Sequence, residues 1–452
     1  MTDPGTTPGW PLPDLRTQEQ RDKDKAAVRK QVDVLSPSPA GTLATGDIVD
    51  RIRERQRRVP AELATRFEQV SLNGGTSSVL VVENELVVET EEQQLTAFGT
   101  GFHKYQGSVR AGRKTRVFRD KDKTVNDLLA DAKRLRTTGV TANVNLVMPL
   151  GYVIKGDEFP AKTSVQKSFT SGSGGSPVRV AVIDTGLTKL PRGDAWFTDI
   201  TRVGTDELNQ VEPEKKRNDY FAGHGTFTAG IVRQVSPTCE IVVYRFTKTD
   251  GLGTDTAAAD MLIKAADEAA AQAPGQPLII NASFGAPAVD GALPAALKEA
   301  VGYIKTKYPD ALIVASAGND GSEVPLYPAA FGPPTVRAVG ALNPDLTGAA
   351  FSNRGKWVHC SAVGVGVVST FVEGLTPPED DLGVPDLTFP ADAWAAWTGT
   401  SFTAPQISGA VAALCATDST LKPQVAFTKL LHGRPTLQGY GAKVHLLPGT
   451  PV

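Results

Sequence analysis

The chain has 452 residues, of which 40% are hydrophobic and 21% charged, a globular composition too long for one ordinary core and therefore suited to two or three domains. A formal net charge of −2 supplies no global field for nucleic acid or an anionic membrane, so neither is expected as a partner. Cys239, Cys360 and Cys415 are too few and too widely spaced for a disulfide framework or a C-x-x-C zinc site; they read as small apolar packing residues.

Residues 1–75 read as a polar N-terminal region, partly helical or disordered. They open on a Pro/Gly-rich tail and carry neither a signal peptide nor a twin-arginine motif. With no apolar run that reads as a membrane span, a cytoplasmic chain is expected. The arginines between Arg51 and Arg58 scatter around a helix, which favours a solvated or docking helix over a nucleic-acid patch. Residues 76–160 change texture. Strand-like runs from Ser77 and Ser108 precede a helix from Thr124 to Gly139, with Val125, Leu128, Leu129, Ala132 and Leu135 on one face, and another strand-like run starts at Val140. This pattern predicts a small α+β domain. Residues 161–177, ending in "SFTSGSGGSP", read as a flexible, cleavable linker.

From 178 to 452, near-continuous apolar runs alternate with helical patterns. The runs are Val178–Asp184, Glu240–Phe246, Pro277–Phe284, Ala311–Gly318 and Thr335–Leu342; helical candidates include Thr254–Gln272 and Gly291–Tyr308. Runs without alternation belong to strands covered on both faces, and the β-α alternation predicts an α/β fold with a doubly wound parallel sheet.

In such a sheet functional groups gather beyond the carboxyl ends of the strands. Asp184 ends the first run, placed to orient a base or to cap the next helix. His224 lies between two glycines in "GHGTFTAGIV", which suggests that something approaches the ring closely. Ser401, in "GTSFTAPQISG", stands at a helix start, where it serves as an N-cap or as a nucleophile. A nucleophilic serine needs a base to take its proton, and the base needs a carboxylate to hold its tautomer. Asp184, His224 and Ser401 supply those parts in the order Asp, His, Ser.

The blocks "VAVIDTG", "GHGTFTAG" and "GTSFTAP" resemble the three signature blocks of the subtilisin-like serine peptidases, and the resemblance runs from about Val178 to Leu431. It implies Asp184 as charge partner, His224 as general base and Ser401 as nucleophile. "ASAGNDG" resembles the family's oxyanion block and implies Asn319 as a donor beside the Ser401 backbone N–H. The resemblance also implies a peptide or protein substrate held as an extended strand between two edges, Gly251, Leu252 and Gly253 on one side and Ser283, Phe284 and Gly285 on the other. Ala315, Ser316, Ala317 and Gly318 then help to line a first specificity pocket for a medium or large uncharged side chain. No cofactor is required for this chemistry; structural calcium is common in such relatives, but no ligand set matches here. The segment Val372–Trp397 is longer and more acidic than the family's usual connection, as a lid, an exosite or a surface insertion, and Val363 stands where a proline is usual.

The expectation is a serine endopeptidase acting through an acyl-enzyme, a zymogen regulated by its N-terminal region. The small α+β domain has the ingredients of an inhibitor and folding chaperone whose end enters the cleft as a product-like strand, with cleavage between Ile154 and Pro177. The alternatives are a catalytically silent peptide-binding scaffold and a processing protease dedicated to one partner.

Overall fold

The computed structural model describes residues 9–36, 53–54, 56–57, 59, 64–72, 77–90, 95, 97–150, 159–163, 177–210, 214, 217–376, 387–418 and 420–452. The first helix, α1 (Gln18–Leu35), starts at a capping box in which the Thr17 side chain accepts from the backbone N–H of Gln20 and the Gln20 side chain reaches back to Thr17. Its buried residues Asp24, Val28, Gln31 and Leu35 share one face. Val28 and Leu35 lie in the same apolar cluster as the core of the following large unit, so this part of the polar N-terminal region is docked.

A small sheet follows, built from β1 (Phe67–Leu72), β2 (Ser77–Val88), β3 (Gln106–Ser108), β4 (Arg116–Arg119) and, after the helix α2 (Val125–Thr137), β5 (Ala142–Pro149). All its pairings are antiparallel. The predicted helix is found with Val125, Leu128, Ala132 and Leu135 buried. β1 pairs with β2 along its whole length, so the small domain begins before residue 76. Of the arginine run only positions 53, 54, 56 and 57 are described; there Gln56 is buried and its amide donates to Asp250.

β6 (Ala161–Thr163) is a strand inside the segment expected to be a linker. The linker's Ser168–Ser176 portion lies outside the described residues. The large unit then runs through β7 (Arg179–Asp184), β8 (Thr201–Val203), α3 (His224–Val235), β9 (Glu240–Arg245), β10 (Leu252–Thr254), α4 (Asp255–Gln272), β11 (Leu278–Ala282), α5 (Ala295–Lys307), β12 (Leu312–Ser316), β13 (Val336–Leu342), β14 (Cys360–Val363), β15 (Val367–Thr370), β16 (Trp394–Trp397), α6 (Ala404–Thr417), α7 (Pro423–Leu431), β17 (Thr436–Leu437) and β18 (Gly441–Val444).

The main sheet has the order β17-β18-β14-β13-β12-β11-β7-β9-β8, parallel throughout except for the β17–β18 hairpin. Alternate residues of each strand feed opposite cores. Val180 and Val182 pack in one cluster with residues of α3 and α6; Ala181 and Ile183 pack in the other with α4, α5 and the small domain. Burial on both faces removes the polar alternation that a half-exposed strand would show. The result is the expected doubly wound α/β unit behind a small α+β domain. No described helix is long and apolar enough to cross a membrane.

Candidate active site

The last residue of β7 is Asp184 and the first of α3 is His224. His224 Nδ1 lies 2.8 Å and 2.9 Å from the two carboxylate oxygens of Asp184. Both side chains are buried. The imidazole is walled by Phe221, Trp397 and Phe402, with ring centroids 5.9, 5.4 and 5.3 Å away. Its Nε2 is buried and makes no hydrogen bond.

The glycines beside His224 answer to the backbone around them. Gly223, the cap of α3, has φ of 83°, in the left-handed region. A Cβ on Gly225 would sit 2.2 Å from the carbonyl oxygen of Gly186, so the first turn of α3 lies directly against the chain that leaves Asp184.

Ser401 occupies a short turn, Thr400–Phe402, that leads into α6. The cap residue of α6 is Thr403, so Ser401 precedes the helix without capping it. Its hydroxyl donates to the carbonyl of Ser283 at 3.4 Å, while the Ser283 hydroxyl donates to the carbonyl of Ser401 at 2.9 Å. The Ser401 hydroxyl is thus bonded to Ser283 and not to His224 Nε2, which has no hydrogen-bond partner among the described residues.

Asn319 is oriented by a residue that sequence reasoning missed. Its side-chain oxygen accepts the Thr400 N–H at 2.9 Å and the Thr400 hydroxyl at 2.8 Å, and that hydroxyl accepts from the Gly318 N–H at 3.1 Å. With the amide oxygen held this way, the Nδ2 group faces Gly399, whose Cβ position would be 3.4 Å from it. The only sequence signal for Thr400 is its place next to Ser401.

The two expected edges are met by the chain itself. Leu252, Gly253 and Thr254 pair antiparallel with Pro149, Met148 and Val147. The Leu150 N–H donates to the carbonyl of Gly251 at 3.0 Å, and Leu150 bridges antiparallel to Phe284. Ser283 lies against Ser401 as above, and a Cβ on Gly285 would meet the carbonyl oxygen of Tyr327 at 3.0 Å. Ala315, Ser316 and Ala317 are buried, Ala315 and Ser316 at the end of β12, and Gly318 is half-buried.

Beyond the cleft the chain is next described at Phe159, which stacks on Tyr220 at 5.8 Å. Residues 151–158 lie outside the described residues, as do 377–386 of the acidic segment and most of the Ile154 to Pro177 interval.

Among the described residues, no group of three or more His, Cys, Asp or Glu side chains is placed to hold a metal ion. The three cysteines are free and buried. Burial pushes the Cys239 thiol up to about 11 and those of Cys360 and Cys415 up to about 12.

The model of the Subtilase family, Peptidase_S8, matches residues 175–440. The chain is 29% identical over 269 residues to a thermophilic serine proteinase of Bacillus sp. (strain AK1), covering 56% of this chain and 56% of that relative. It is 28% identical over 250 residues to Subtilisin BL of Lederbergia lenta, covering 53% of this chain and 77% of the relative. The match thus spans little more than half of the first relative's length. The crystal structure of a lanthipeptide protease is similar with 22% identity and a TM-score of 0.46, over 60% of this chain and 86% of that one.

Proposed function

We propose that this chain, which belongs to the subtilase family, is a serine endopeptidase held latent by its own N-terminal domain. In this reading Ser401 attacks the scissile carbonyl while His224 Nε2 takes its proton, and Asp184 holds the imidazole through Nδ1. The Asn319 amide and the Ser401 N–H receive the developing oxyanion. His224 returns the proton to the leaving amine, and water then hydrolyses the acyl-enzyme.

The observation that carries the chemistry is the buried Asp184–His224 pair, whose Nε2 makes no hydrogen bond of its own. Latency is supported by β5 and Leu150, which fill the edge strand β10 and reach Phe284 in the manner of a bound peptide. The test is fluorophosphonate labelling of the full-length protein, before and after limited proteolysis, beside Ser401→Ala. Labelling that depends on Ser401 and rises when the N-terminal domain is displaced is expected. No labelling of the wild type under either condition would overturn the enzyme reading in favour of a peptide-binding scaffold.

A further inference from the structure

Asp206 is a buried carboxylate that the chemistry above leaves unused. It lies in a two-residue strand, Thr205–Asp206, that pairs in parallel with Leu187–Thr188. One of its oxygens, Oδ2, accepts the Thr185 hydroxyl at 2.7 Å and the Gly223 N–H at 2.8 Å. The other accepts the Leu208 N–H at 3.1 Å. Thr185 directly follows Asp184, and Gly223 directly precedes His224. The Thr185 hydroxyl in turn accepts the N–H of Gly225, the residue after His224, at 3.0 Å.

These bonds close a ring around the Asp184–His224 pair. From Asp184 the path runs through Thr185 to Asp206, from Asp206 to Gly223 and His224, and from Gly225 back to Thr185. Asp184 is otherwise fixed by the end of β7 and His224 by the start of α3. A carboxylate suits the junction because the Thr185 hydroxyl and the Gly223 and Leu208 N–H groups all donate to it, whereas an amide would turn an N–H toward one of them. Burial pushes the Asp206 carboxyl up to about 7, partly offset by the hydrogen bonds from Thr185, Gly223 and Leu208. The fold keeps this group despite its desolvation cost, where it is bonded both to the residue after Asp184 and to the residue before His224.

We infer that Asp206 is a positioning residue that sets the Asp184–His224 geometry through Thr185 and Gly223. The inference rests on the peptidase reading for its effect on rate, but its structural content does not. A displacement of about 1 Å in such a pair costs about 100-fold in rate.

The test uses the full-length chain with Asp206→Asn, Thr185→Val and Thr185→Ser. The first readout is the low-field proton resonance of His224 Nδ1–H, the second the rate of fluorophosphonate labelling, and the third the melting temperature. Asp206→Asn and Thr185→Val are expected to shift or broaden the resonance and to slow labelling by about 10- to 100-fold. Thr185→Ser, which keeps the hydroxyl, restores both. The double variant Asp206→Asn/Thr185→Val should be little worse than either single one, because the two act as a unit. A lowered melting temperature with an unmoved resonance and full labelling rate would reduce Asp206 to a packing role and overturn the inference. Should Asp206→Asn fail to fold, Thr185→Val and its serine partner decide by the same readouts. A wild type that never labels yet shows the resonance would sink the peptidase reading; the resonance of the variants would still decide the role of Asp206.

Discussion

Replacing Glu299 with alanine tests how the small domain is held over the cleft. Glu299 lies on α5, and its carboxylate accepts the Lys114 N–H at 2.6 Å, the Thr115 N–H at 3.1 Å and the Thr115 hydroxyl at 2.5 Å. Arg110 lies 3.6 Å away, and the Glu299 side chain is 15% exposed. A hydrogen bond to a charged group contributes about 1.5–3 kcal/mol, less where water replaces it on opening. Discounted for that replacement, the three together are worth about 2–4 kcal/mol of docking. At about 1.4 kcal/mol per decade, their loss raises the undocked population by about 30- to 700-fold. The Leu150 amide reports this opening, since its N–H is bonded across the interface to Gly251. In a Ser401→Ala background, hydrogen exchange at Leu150 should accelerate by that factor, while exchange at Leu128, inside the small domain, should not. Leu150 exchange within about two-fold of wild type would refute the claim that the Glu299 bonds hold this strand in the cleft.

Three further outcomes are expected. Burial pushes the Asp255 carboxyl up to about 6 from an ordinary 3.8, offset in part by the donated N–H groups of Ala296 and Leu297 and by Arg110. A pKa raised on folding stabilises the protein below the unfolded value and loses that contribution as pH rises through the folded one, here about 3 kcal/mol between pH 4 and 6. In a Ser401→Ala background the melting temperature of the Asp255 protein, relative to Asp255→Asn, should therefore fall across that window; a constant difference would contradict it. Gly225→Ala drives a Cβ against the Gly186 carbonyl and should cut kcat by about 100-fold or more at a stability cost of about 1–3 kcal/mol, read from peptide hydrolysis and thermal melting. Deleting residues 9–36 removes the buried Val28 and Leu35, worth about 3–6 kcal/mol, and should lower the melting temperature by about 3–10 °C; an unchanged melt would make α1 a dispensable arm.

The strands of the main sheet were legible because burial on both faces leaves unbroken apolar runs, and each of the five expected runs contains a strand of the parallel sheet. Asp184, His224 and Asn319 were legible through blocks that resemble a family's signature blocks; the structure brings Asp184 and His224 into contact and turns Asn319 toward Thr400, beside Ser401. Asp206 and Thr400 were not legible. Asp206 is held by main-chain N–H groups and a hydroxyl, largely from other segments, and Thr400 acts through its own N–H and hydroxyl on Asn319; any sequence offers such groups. The docking of α1 was hidden for another reason: its buried face includes Asp24 and Gln31 beside only two apolar residues, Val28 and Leu35, too thin a stripe to stand out in a polar helix.

That thin stripe bears on the latency proposed above. β16 runs directly toward Ser401 and pairs with β15 on one side and β6 on the other. α1 closes over β6 and β16: the Gln31 amide donates to the carbonyls of Phe159 and Ala396, and Asp24 accepts from both Arg16 and Thr163. The chain is therefore anchored on both flanks of the cleft, at Leu150 by the small domain docked on α4 and α5, and at Phe159 by α1. A cut between these two residues severs one covalent link and leaves both non-covalent anchors in place. Each anchor keeps the other at a high effective concentration, so neither leaves at the rate set by its own contacts. The latency proposed above would be relieved by weakening an anchor, and the Glu299 bonds, which can be removed without touching the apolar core that the small domain shares with α4 and α5, are the place to test it.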